Sequence, residues 1–112
     1  MNFSHSDLIR LAHESRANLT VEQKELLVCL FEEAAEVTKV VAKILRFGYH
    51  SCNPEGVPNA DLLQTEVADF LGIVDRLTDL AVFDAGQLEL LAAVKLGKLE
   101  NFLLCKGDTA IA

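Results

Sequence analysis

Residues 20–48 read TVEQKELLVCLFEEAAEVTKVVAKILRFG, and this stretch decides the fold. Thr20 followed three positions later by Gln23 forms a capping box, the reciprocal arrangement that opens a helix. Leu26, Leu30, Ala34, Val37, Val41 and Ile44 then recur at helical spacing and define an apolar centre. Gly48 supplies a left-handed residue that can end the run. A helix this long, apolar along one side, requires other elements to cover it.

The flanking sequence supplies them as further helices. A first helix starts near Ser4 or Ser6, carries Leu8, Ile9, Leu11 and Ala12, and stops before Asn18. Both prolines, Pro54 and Pro58, fall in YHSCNPEGVPN, residues 49–59, the one substantial loop. A third helix begins at Asn59 or Asp61 and continues to about Leu80. Asp84 with Gln87 makes another capping box and opens a fourth helix lasting to roughly Cys105. No stretch alternates apolar and polar residues for long, and no Asn-Gly or Asp-Gly hairpin turn occurs. The expected object is all-α, a four-helix, bundle-like single domain spanning residues 1–112.

Composition narrows the function classes. With 17 acidic against 10 basic residues the formal charge is −7, and no Lys/Arg cluster offers a footprint for phosphate backbones. Nucleic acid and anionic membrane are therefore excluded as expected partners. Cys29, Cys52 and Cys105 are odd in number and widely spaced, which provides neither a disulfide framework nor a CxxC zinc knuckle. His50 and Cys52, two apart, lack the further ligands a zinc site needs. The N-terminus carries no basic segment followed by an apolar stretch, and no run of about 18 apolar residues occurs. A soluble, cytoplasmic protein is expected. The hydrophobic fraction of 51% is high for an ordinary domain and points to burial between subunits.

The acids of the second helix step outward from the core. On a wheel turning about 100° per residue, Glu33 lies on the shoulder of the apolar face, near Val40. Glu36 lies farther out, and Glu32 farther still, on an outer stripe with Lys39 and Lys43. That stripe can be a solvated one, with Glu36 and Lys39 paired at i,i+3.

The third helix carries the anomaly. Leu62, Phe70, Ile73 and Leu77 cluster around Glu66 on its wheel, with Leu63 beside them and Asp69 about 60° away. Asp75 and Asp79 point to solvent. A carboxylate within an apolar stripe needs a basic partner, a proton or a metal ion. Lys95 and Lys98 of the fourth helix are the candidate basic partners. A divalent cation is the alternative, because Glu33/Glu36 and Glu66/Asp69 form i,i+3 carboxylate pairs of the kind used in di-metal bundles. All-oxygen ligands without a Glu-x-x-His pair favour Mg²⁺ or Mn²⁺ over zinc or iron.

Taken together, Glu32-Glu33-Ala34-Ala35-Glu36, a spacer of 29 residues, and Glu66-Val67-Ala68-Asp69 resemble the EExxE…ExxD pattern of the MazG-type all-α nucleoside triphosphate pyrophosphohydrolases. That superfamily includes dimeric dUTPases and dCTP pyrophosphatases. KLGKLEN, residues 95–101, is similar, with looser spacing, to the Lys- and Asn-containing segment late in the family's last core helix. The resemblance covers about residues 20–103 and implies Mg²⁺-dependent cleavage of an NTP or dNTP between the α- and β-phosphates. It implies Glu33, Glu36, Glu66 and Asp69 as metal ligands, with Glu33 also catalytic. Glu32 is implied as an outer ligand or as the group that orients the attacking water. Lys95 and Lys98 become candidates for phosphate contacts, with Asn101 as a donor. The resemblance further implies a homodimer or homotetramer and a base pocket drawing on the first helix and a neighbouring subunit. His13, Asn18 and Phe31 are the residues the sequence offers there, and Tyr49 with the loop around Pro54 is the segment placed to form a lid. Two other readings stay open: a metal- or nucleotide-binding bundle without catalysis, and a structural interaction domain in which Lys95 and Lys98 neutralise the acids.

Overall fold

A computed structural model describes residues 3–104. Four α-helices occur among them: α1 (His5–Glu14), α2 (Val21–Phe47), α3 (Asn59–Asp79) and α4 (Ala85–Lys98). The chain divides into two compact units, Met1–Val82 and Phe83–Ala112. The first holds α1 to α3, and the second holds α4 with a 3₁₀ turn, Leu99–Asn101.

Helix starts follow the sequence closely. Ser4 caps α1 in a reciprocal box with Asp7, and Thr20 caps α2 in one with Gln23. The Asp84 carboxylate accepts the Gln87 backbone N–H at 2.8 Å, but no return bond from the Gln87 side chain forms, so α4 opens on half a box. Two ends depart from expectation. Gly48 has φ 111° and ψ 154°, an extended conformation at positive φ rather than a left-handed helical one, and it sends the chain directly away from α2. The last helix stops at Lys98, because the Phe102 N–H bonds to the Leu99 carbonyl only three residues back and tightens the end into a 3₁₀ turn. Cys105 lies outside the described residues.

Two contacts fix α2 and α3 as an antiparallel pair. At one end Asn59, the one buried polar residue among those described, donates from its side-chain amide to the Gly48 carbonyl at 3.1 Å. At the other the Gln23 amide donates to the Leu80 carbonyl at 2.8 Å, beside a 2.6 Å ion pair between Glu22 and Arg76. The intervening loop is held by its own bonds. Asn53 accepts the Glu55 and Val57 N–H groups on its side chain, and a single antiparallel bridge joins Cys52 to Pro58.

Within the first unit Val28, Val40 and Leu77 are buried, and Leu77 is fully so. Leu77 lies on the stripe assigned to the core, with Leu62, Phe70 and Ile73 half-buried beside it. On α2 the outcome is different. Val28, outside the expected apolar centre, is buried, whereas Ala34 and Val41 from that centre are exposed. Helix α2 packs against α1 on one side and α3 on another, so its covered surface is split, and part of the expected stripe stays open.

Ala81 ends α3 at φ 61° in the left-handed region. The Val82 N–H bonds to the Leu77 carbonyl and the Ala81 N–H to the Thr78 carbonyl, a Schellman closure in which glycine is the usual residue. The Cβ of Ala81 costs about 1–2 kcal/mol in that region, against about 0.4–1 kcal/mol of extra chain entropy that glycine loses on folding. Ala81→Gly should therefore raise stability by roughly 0.5–1 kcal/mol, read as a higher urea midpoint at unchanged slope. A lower midpoint would contradict the left-handed closure.

Candidate metal centre

The antiparallel register brings one acid of α2 against two of α3. Carboxylate oxygens of Glu33, Glu66 and Asp69 lie within 4.8 Å of one another. Glu33 and Glu66 are half-buried and Asp69 is exposed, so the cluster has an inner wall and an open side. Ala34 and Val67, next in sequence to Glu33 and Glu66, line an apolar hollow with Val37 and Phe70.

Electrostatically the cluster is uncompensated. Among the described residues no salt bridge involves Glu33, Glu66 or Asp69. Oε2 of Glu33 is buried and has no hydrogen-bond partner. Burial pushes the Glu33 carboxyl above its ordinary value, and the charges of Asp69, Glu66 and Glu36 push it the same way. The nearby Cys29 thiol is also raised, first by burial and then by the charges of Glu32, Glu33 and Glu25.

That shift has a measurable consequence for the protein held in chelator. A carboxyl whose folded-state value is raised binds its proton more tightly in the native chain. Its stabilising contribution is complete below the ordinary 4.5 and is lost as pH rises through the raised value. Glu33→Gln removes this loss. The wild type should therefore fall below Glu33→Gln in melting temperature as pH rises above about 4.5 and through the raised value. Parallel curves across that range would contradict the crowding of charge.

The donor set suits a hard divalent cation. Three converging carboxylates supply only oxygen, leave further coordination positions for water or phosphate oxygens, and include one oxygen with nothing else to satisfy it. Glu36 is exposed and is not one of the three converging acids, although its charge reaches Glu33. Neither Glu36 nor Lys39 belongs to a salt bridge among the described residues.

Glu32 departs from the outer stripe on which the wheel placed it. It is half-buried, and its Oε1 lies 2.6 Å from Nδ1 of His5 at the start of α1. A position about 100° round the helix from Glu33 turns Glu32 toward α1 while Glu33 faces α3. Sequence reasoning missed His5 altogether. The available signal was Val28, one turn before Glu32, which marks a second apolar side of α2.

Further pairs tie α1 to α2. His13 Nε2 lies 2.9 Å from Glu25 Oε1, and Lys24 donates to the Ser15 carbonyl at 2.7 Å. A groove of about 680 Å³ between these helices is lined by His5, Ile9, Arg10, His13, Glu25 and Cys29, among others. Phe31 and Asn18 are exposed, Phe31 at the rim of a separate apolar groove with Leu8 and Leu11. Tyr49 and Pro54 are likewise exposed. In the second unit Lys95 and Lys98 occupy the last turn of α4, with the Lys95 ammonium 4.8 Å from the centre of the Phe102 ring, and Asn101 ends the 3₁₀ turn. No helix among the described residues is long and apolar enough to cross a membrane. Compared with family models, curated proteins and solved structures, the chain gives no match.

Proposed function

We propose that this chain is a MazG-like, Mg²⁺-dependent pyrophosphohydrolase that cleaves an NTP or dNTP between the α- and β-phosphates, giving the monophosphate and pyrophosphate. The observation that carries this reading is the convergence of Glu33, Glu66 and Asp69, with a buried oxygen of Glu33 left unsatisfied. A triphosphate cannot approach such a cluster unless positive charge stands between them.

Glu33, Glu66 and Asp69 would hold Mg²⁺ or Mn²⁺, with Glu36 adding charge from the next helical turn. The bound cation supplies polarisation of phosphoryl oxygens and a water acidic enough to attack near neutral pH. The protein's own contribution is to hold these carboxylates on two rigid helices in one register, set by Asn59 at one end and Gln23 at the other. Glu32 accepts a hydrogen bond from the attacking water and orients it. Lys95, Lys98 and Asn101, which the resemblance offers for phosphate contacts, belong to the second unit.

The working form is a cytoplasmic homodimer or homotetramer that completes a four-helix bundle. The exposure of Leu45, Phe47 and Leu71, at 82%, 65% and 53%, supports assembly, because a lone chain leaves this apolar surface in water. Pyrophosphate and monophosphate release from a panel of NTPs and dNTPs, with Glu66→Gln as the control, tests the activity.

A further inference from the structure

We propose that the open part of the α2 apolar stripe, with Val67 and Leu71 of α3, is the surface through which two copies of this chain pair face to face, each giving α2 and α3 to a shared four-helix core. This pairing deepens the assembly proposed above by naming its face and its occupant, and it holds whether or not the chain hydrolyses nucleotides.

Equal turns about antiparallel axes reach the same side of a helix pair, so the wheels of α2 and α3 combine. Turning one way from Glu33 and Glu66, α2 presents Leu30, Val41, Ala34 and Leu45, and α3 presents Phe70, Val67 and Leu71. On that side Ala34, Val37, Val67 and Phe70 line one hollow of about 210 Å³, walled throughout by apolar side chains. Val41, Leu45, Val67 and Leu71 are exposed. Turning the other way, Glu36 and Asp69 each lie about 60° from Glu33 and Glu66, and both are exposed. The pair therefore has an apolar side and an acidic side, and the carboxylate cluster opens on the acidic one.

Three features select a second copy as the occupant. The chain has a formal charge of −7, and an isologous contact sets like charge against like, so a self-contact has to be free of charge. The apolar arc carries no Asp, Glu, Lys or Arg on either helix. The same face also holds both a hollow and a projection. Leu45, 82% exposed, stands beyond Val37 by about 12 Å along the helix axis. A twofold axis midway between them lays each copy's Leu45 over the other's hollow. Size agrees as well. The 21 residues of α3 extend about 32 Å, and two adjacent helices span about 20 Å. That outline covers about 600 Å² before side-chain relief is added, close to the roughly 800 Å² that each partner gives a standard interface. Pairing in this way leaves both carboxylate clusters facing water.

Sedimentation of the full-length protein over about 1–100 µM, without metal or nucleotide, tests the pairing. The wild type should sediment as a dimer or a multiple of one. Leu45→Glu and Leu71→Glu put a charge into the shared face of both copies, and each should raise the dissociation constant at least about a hundredfold. Helical content should not change, because both positions are exposed in the single chain. Lys39→Glu alters the charge by more, but on the acidic side, and should leave the constant within about threefold. In a mixture of isotope-labelled and unlabelled copies, cross-copy methyl contacts should join Leu45 to Val37 or Val67. A monomeric wild type overturns the pairing. So does a dimer that Leu45→Glu and Leu71→Glu leave intact, one that Lys39→Glu weakens equally, or one whose cross-copy contacts run to α4. A dimer that releases no product from any nucleotide supports the pairing and removes the hydrolytic reading, whereas release by a monomer does the reverse.

Discussion

With Mg²⁺ and a panel of NTPs and dNTPs, the wild-type protein should release pyrophosphate and monophosphate, and Glu66→Gln should lower the rate more than about a hundredfold. That figure is the upper end of what outer partners of a metal cost, and a direct ligand contributes more. The same substitution has a second signature. Mg²⁺ at a hundred times its Kd should stabilise the wild type by about 2.7 kcal/mol, on the order of ten degrees in a domain of this size. Glu66→Gln should abolish that rise, because it removes a converging charge from a cluster already lacking any positive partner. The two readouts separate three cases. A melting shift without product indicates a binding bundle, and neither shift nor product indicates a structural role for the acids. Product with Glu66→Gln at the wild-type rate would remove Glu66 from the site.

Leu77→Ala should cost about 2.7–5 kcal/mol, the range for truncating a leucine in a packed core. Leu77 is the one fully buried large side chain among the described residues, and it stands three helical turns beyond Glu66 on the same stripe of α3. Leu71 offers the contrast on the same helix, since it is 53% exposed. Leu71→Ala should cost little in the dissociated chain. Where a second copy covers that face, its cost should grow with protein concentration, because assembly stabilises by mass action. Urea denaturation at two protein concentrations measures both effects. A Leu77→Ala cost below about 1 kcal/mol would contradict its placement in the core.

Helix existence was legible because capping and periodicity are local. Thr20 with Gln23, Asp84, and the two prolines of residues 49–59 each act within a few residues, and their positions mark the ends of α2, α3 and α4. The burial of Leu77 and the inward placement of Glu66 were legible for the same reason: one partner covers that face of α3, so a single wheel describes it. For α2 a single wheel failed. Val28 and Glu32 face α1, Glu33 and Val40 lie toward α3, and Ala34 and Val41 stay open.

By itself, then, the sequence determined the all-α character of the described residues, the starts of their helices to within a few residues, and the presence of carboxylates on apolar faces, because spacing and capping depend only on neighbours along the chain. Which carboxylates meet was decided by tertiary structure. Asn59 and Gln23 set the register of α2 against α3, and that register gathers Glu33, Glu66 and Asp69 while Glu36 stays outside. The docking of α1 then takes Glu32 away to His5, 27 residues distant in sequence. Proximity between residues so far apart depends on how whole helices pack, and no local pattern encodes it.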